Sequence, residues 1–271
     1  MTRFSTPHDG NPHNVSHIAT GSDGRLWFTE GGVSAIGQVT TSGVFSEIPL
    51  PSTSKSITTG RDGAMWFDDG SGIGRITTQG AYTHFALPSS EELIQEITAG
   101  SDGNLWFTEL EPNQIGRITS GGDVTEFPIP TVACYPSGIA AGPDGALWFT
   151  EAVGNKIGRI TTDGAITEFA LPTPNGQPVE IALGADGNLW FTEEIGNKVG
   201  RITPEGAITE FDIPGANVYP VGIAAGPSGY VWFTELAGGI GRLCTLENCV
   251  DRDVVRPAPR PRHPISLAPR S

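Results

Sequence analysis

The sequence predicts an all-β fold, a six-bladed β-propeller of four-stranded antiparallel blades. Three observations carry this. One phrase of about 40 residues recurs six times, its apolar residues follow the spacing of short strands, and each copy is punctuated by Gly-containing turns. The six tryptophans mark the copies: Trp27, Trp66, Trp106, Trp148, Trp190 and Trp232, at successive intervals of 39, 40, 42, 42 and 42.

Residues 139–172 show the repeat almost complete. Ile139 and Ala140 begin a first strand. Pro143-Asp144-Gly145 is a turn, because Asp and Gly accept the positive φ of a tight hairpin. Leu147 to Glu151 reads as the second strand and Ile157 to Thr161 as the third. Thr162-Asp163-Gly164 turns the chain again, and Ala165 to Leu171 is the fourth strand, closed by Pro172. Four antiparallel strands in such a repeat make one propeller blade. The tryptophan is expected to pack between neighbouring blades.

The last copy, from Tyr219 through Trp232 to Leu243, contains three strands. The opening Thr2-Arg3-Phe4-Ser5-Thr6-Pro7 matches Thr167 to Pro172, a fourth strand. The N-terminus is therefore expected to complete the last blade and close the ring without an open edge. The propeller spans residues 1–249. Residues 250–271, with five prolines and five arginines, predict an extended tail with no core of its own.

The net charge of −14 argues against nucleic acid as a partner, because phosphates attract Lys and Arg. Five arginines against Asp251 and Asp253 give the tail +3 and leave −17 on the propeller. An acidic cleft for a cation is one reading of that charge, and a solvated surface is the other. No run of 18 apolar residues predicts a membrane span, and the N-terminus lacks the apolar stretch of a leader. A cytoplasmic monomer is the expectation. Cys134 stands alone, while Cys244 and Cys249 are close enough in sequence for a bridge or for two thiols.

Residues that recur in every copy answer a need of every blade; residues that break the repeat are candidates for function. The loops joining fourth to first strands and second to third strands share one face and vary, so a small-molecule ligand is expected there. The residue before each first-strand Ile is His17, Ser56, Glu96, Gly138, Glu180 and Gly222. First strands line the channel, so His17, Glu96 and Glu180 could converge as a divalent-metal site or as a base beside two acids. Three separate solvated side chains are the alternative. His8 and His13 crowd the same loop as His17 but lack a ligand spacing that a loop would preserve. The recurring Glu of W-F-T-E (Glu30, Glu109, Glu151, Glu193, Glu235) and the Arg of I-G-R (Arg75, Arg117, Arg159, Arg201, Arg242) read as a pair repeated in each blade, or else as a ring of acids at the mouth.

The stretch from Leu147 to Phe169, L-W-F-T-E followed by N-K-I-G-R-I-T and I-T-E-F, resembles the virginiamycin B lyase family over residues 1 to about 245. The resemblance implies a propeller that opens a cyclic depsipeptide antibiotic, a streptogramin B, by Mg²⁺-assisted β-elimination at its ester, and so a role in antibiotic resistance. It also implies histidines in Pro-His-x-Ile phrases. The matching positions here are Ser16, Lys55, Gln95, Ser137, Val179 and Val221, and none is His. Two function classes stand: a lyase of this type using His17, Glu96 and Glu180, with Mg²⁺ held by the same three, and a non-catalytic propeller that binds a ligand or protein.

Overall fold

The computed structural model describes residues 14–88 and 93–245. Blade 1 contains β1 (Asn14–Thr20), β2 (Leu26–Gly31), β3 (Ala35–Val39) and β4 (Phe45–Pro49). Blade 2 contains β5 (Ile57–Thr59), β6 (Met65–Asp68), β7 (Gly72–Ile76) and β8 (Tyr82–Ala86). Blade 3 contains β9 (Ile94–Ala99), β10 (Leu105–Glu109), β11 (Gln114–Ile118) and β12 (Val124–Pro128). Blade 4 follows with β13 (Pro136–Ala141), β14 (Leu147–Glu151), β15 (Lys156–Ile160) and β16 (Ile166–Ala170). Blade 5 has β17 (Pro178–Leu183), β18 (Leu189–Glu193), β19 (Lys198–Ile202) and β20 (Ile208–Asp212). Blade 6 has β21 (Pro220–Ala225), β22 (Tyr230–Glu235) and β23 (Gly239–Cys244). Each sheet is an antiparallel meander in sequence order, which is a six-bladed propeller. The strand expected to complete blade 6, Thr2–Pro7, and the tail lie outside the described residues.

The repeat phrase maps onto packing. In blade 4 the Asp144-Gly145 turn has Gly145 at φ 80°, and the Asp144 carboxylate accepts the indole N–H of Trp148 at 3.2 Å. Trp148 stacks on Phe169 of the outermost strand, with ring centroids 5.6 Å apart, and its other edge packs into the core of blade 5 with Leu189 and Phe191. Five tryptophans are thereby buried. Trp232 is only half-buried, in the sheet for which three strands are described. The Gly of I-G-R has a steric cause: Gly158 faces Phe149 across the strands, and a Cβ there would lie 2.1 Å from the ring.

A second recurring device joins the blades. The Thr of W-F-T-E accepts a backbone N–H from its own first strand and donates its hydroxyl to a carbonyl of the next blade. Thr108 accepts from Glu96 N at 3.1 Å and donates to Ser137 O at 2.6 Å. Thr150 accepts from Gly138 N and donates to Val179 O. Thr192 takes Glu180 N and reaches Val221 O.

The expected pairing of the W-F-T-E glutamates with the I-G-R arginines is wrong. Antiparallel register places Arg159 opposite Trp148 and puts Lys156 opposite Glu151. The guanidinium therefore lies over the indole, 5.8 Å from its centroid, and pairs with the turn carboxylate of Asp144 at 2.7 Å. Glu151 sits at the other end of β14, buried with Glu30, Glu109 and Glu193. Glu235, the fifth of these acids, is partly exposed.

Candidate functional site

The innermost strands line the channel, and in five of them the pairing with the second strand breaks at one place. The register shifts between Val15 and Ile18, between Ile94 and Ile97, between Pro136 and Ile139, between Pro178 and Ile181, and between Pro220 and Ile223. His17, Glu96 and Glu180 lie inside these bulges. A bulge bends its strand and re-aims a side chain, and here three ionisable ones are turned to a common point. One ligating atom from each of His17, Glu96 and Glu180 lies within 4.8 Å of the other two. The three residues read from the sequence do converge, on blades 1, 3 and 5. Gly138 and Gly222, at the same place on blades 4 and 6, add no side chain between them.

The side chains of His17 and Glu96 are held by hydrogen bonds. The His17 amide donates to Thr29 Oγ1 at 3.0 Å, and its Nδ1 lies 2.6 Å from the carbonyl oxygen of Lys55. A carbonyl only accepts, so Nδ1 carries the proton and Nε2 presents a lone pair. Burial holds the His17 pKa below its usual value, partly offset by the Lys55 carbonyl. Glu96 Oε2 accepts the Ile139 amide at 2.6 Å across the blade junction. Burial pushes the Glu96 carboxyl well above the usual range, and the neighbouring Glu180 charge adds to it. Burial raises Glu180 to about 7. Two desolvated carboxyls beside each other resist joint ionisation. One keeps a proton near neutrality unless a cation replaces it.

The site opens into a cavity of about 970 Å³. Its walls beyond the three ionisable residues are mostly apolar, including Ile181, Ile223, Trp232, Phe233 and Ile240. A concave apolar space with a few convergent polar groups is the usual form of a small-molecule site. His8 and His13 lie outside the described residues.

Blade 2 departs from the others at this level. It reads W-F-D-D in place of W-F-T-E, so Asp68 stands where the other blades have the bridging Thr. Asp68 Oδ1 accepts the amides of Lys55 and Ser56 at 2.8 and 2.7 Å and the Ser54 hydroxyl at 3.2 Å. Burial raises its pKa to about 6 against those hydrogen bonds. Sequence reasoning passed over this residue, although its Thr-to-Asp change was visible in the repeat.

The comparisons agree with this architecture. The sequence pattern of the Virginiamycin B lyase family matches residues 1–243, and the chain belongs to that family of propellers. Virginiamycin B lyase from Staphylococcus aureus is 46% identical, with TM-score 0.80, over 83% of this chain and 79% of that one. A streptogramin B lyase structure is 38% identical, with TM-score 0.82, over 86% and 80%. A catalytically inactive histidine-to-alanine variant of the Staphylococcus aureus lyase, solved with quinupristin, is 45% identical, with TM-score 0.86, over 90% and 84%. No protein of curated function matches the chain.

Proposed function

We propose that this protein is a ring-opening lyase for a cyclic depsipeptide of the streptogramin B type, with His17 as the base. The observation that carries the reading is the His17–Glu96–Glu180 cluster, its ligating atoms within 4.8 Å, at the wall of the channel cavity. The Lys55 carbonyl leaves Nε2 of His17 free to take a proton. In a β-elimination that proton comes from the carbon α to a carbonyl. The C–H electron pair becomes the new C=C bond, and the β-carbon–oxygen bond breaks, its pair leaving on the ester carboxylate. Because His17 is neutral at physiological pH, it begins the reaction as a base. The apolar wall of Ile223, Trp232 and Phe233 receives the hydrophobic body of the substrate and excludes water.

The donor set fits a divalent cation such as Mg²⁺. Two carboxyls whose charges conflict, Glu96 and Glu180, would hold it and be neutralised by it, which leaves the Nε2 lone pair of His17 to act as the base. When bound, such a cation supplies a positive charge that stabilises the negative charge developing on the carbonyl oxygen.

A second reading has its own support. The quinupristin-bound relative is inactive for want of one histidine. In this chain the positions that match the family's histidine phrases hold Ser16, Lys55, Gln95, Ser137, Val179 and Val221. A propeller that binds the antibiotic without opening it accounts for that.

Incubation with a streptogramin B, with and without Mg²⁺, and mass spectrometry of the products separates the readings. Elimination gives a linear product of unchanged mass with a new C=C absorption. Hydrolysis adds the mass of one water. Binding with no conversion sinks the lyase reading.

A further inference from the structure

We propose that Asp68 is a positioning residue for His17, acting through the peptide group between Lys55 and Ser56. The N–H of that peptide donates to Asp68 Oδ1 at 2.7 Å, and its carbonyl lies 2.6 Å from His17 Nδ1. Carboxylate, peptide and imidazole form one line of hydrogen bonds from blade 2 into blade 1. The Lys55 amide and the Ser54 hydroxyl hold the same carboxylate oxygen, which fixes its place.

The repeat shows what is special here. In blades 1, 3, 4, 5 and 6 the equivalent amide is bound by a neutral threonine hydroxyl: Thr29, Thr108, Thr150, Thr192 or Thr234. Among the described residues only blade 2 uses an acid here, and the carbonyl of the same peptide meets an imidazole. Donation of the N–H to an anion draws electron density toward the carbonyl oxygen, and hydrogen bonds in a chain strengthen one another. The Lys55 oxygen is thus a stronger acceptor than its counterparts. It keeps the proton on Nδ1, keeps the Nε2 lone pair pointed at the cavity, and stabilises the imidazolium once Nε2 has taken a proton. An Asp–His pair in a catalytic triad does the same directly; here a peptide group stands between them.

The proposal rests on His17 as the base, but its test needs no substrate. The ¹⁵N and proton resonances of the His17 ring, assigned by their loss in His17→Gln, are recorded above the imidazole's titration range. They are compared between the unaltered protein, Asp68→Asn, which keeps the acceptor without the charge, and Asp68→Thr, which gives blade 2 the residue of the other blades. The Nδ1 proton is expected to move upfield from Asp to Asn to Thr, with a growing share of the other tautomer. A merely structural role for Asp68 would lower the melting temperature and leave the His17 ring unchanged. Unchanged ring resonances in either folded variant overturn the proposal. If neither variant folds, scalar couplings in the unaltered protein decide. Coupling of the His17 Nδ1 proton to the Lys55 carbonyl carbon, and of the Ser56 amide to the Asp68 carboxyl carbon, are both expected, and the absence of either overturns it. A chain that opens no depsipeptide can still pass this test, so the two failures are distinguishable.

Discussion

Arg159 and Asp144 meet at 2.7 Å beside the Trp148 indole, so the guanidinium is shared between a carboxylate and an aromatic face. Arg75, Asp62 and Trp66 repeat the arrangement in blade 2. A double-mutant cycle on Arg159→Ala and Asp144→Ala should show a coupling of about 0.5–1 kcal/mol, the scale of a partly exposed ion pair. The cycle of Arg159→Ala with Glu151→Gln should show none. Denaturant unfolding measures both, and a larger coupling to Glu151 would restore the pairing expected from the repeat.

The buried acids make stability depend on pH in an unusual direction. Burial, with Glu168 nearby, raises Glu151 to about 7, and burial with Glu210 nearby raises Glu193 to about 8. A carboxyl raised on folding binds its proton more tightly in the folded chain. Its stabilisation is full below the unfolded value near 4.5 and is lost as pH rises through the folded value. The melting temperature should therefore fall between about pH 5 and pH 8. Glu151→Gln, which cannot ionise, should flatten that slope and raise the melting temperature at pH 8 by several degrees. A profile that rises over this range would contradict the assignment.

At the channel, Glu96→Gln together with Glu180→Gln should lower Mg²⁺ affinity at least 10-fold, by removing two anionic ligands. Any ring-opening activity should fall with it. The fold should persist, because amides relieve the conflict between two buried charges. Calorimetric titration with Mg²⁺ and circular dichroism of the same sample check both parts. Unchanged metal binding in the folded double variant would make these ordinary channel side chains.

The threonine bridge is testable by position. Thr150→Val keeps the shape and removes a hydroxyl that joins Gly138 N to Val179 O, so it should cost about 1–3 kcal/mol. Thr108→Val and Thr192→Val should cost the same, because they serve identical junctions. Thr234, which is exposed, holds Gly222 N within its own blade, and its loss should matter less. Equal effects at all four would show that the bond between blades contributes little.

Deleting residues 1–7 should lower the melting temperature sharply. The described part of blade 6 ends at β23, and Thr2–Pro7 carry the sequence of an outermost strand. Thermal unfolding of the truncated chain at the temperature of the full one would refute the closure read from the sequence.

The fold was legible because identical copies reveal their own grammar. The Trp, the D-G turn and the I-G-R glycine recur since each blade meets the same neighbours. The channel cluster was legible for the opposite reason: His17, Glu96 and Glu180 are departures at one repeated position. What could not be read was register. Nothing in the spacing of W-F-T-E and I-G-R says whether Arg159 lies opposite Glu151 or Trp148; only the pairing of β14 with β15 fixes that. The bulges were hidden too, since they are breaks in hydrogen bonding rather than in sequence. Asp68 was visible as a departure, but its weight depends on a peptide group two blades share.

Every full threonine junction has a giving side and a receiving side, running from a lower-numbered blade to the next. The ring therefore has a polarity, like a chain of links that each hook forward. A copy inserted after blade 1, 3, 4 or 5 would find a hook waiting behind it. Descent by duplication of whole blades then needs no invention at the joints, and relatives of this protein are free to differ in blade number while keeping one joint.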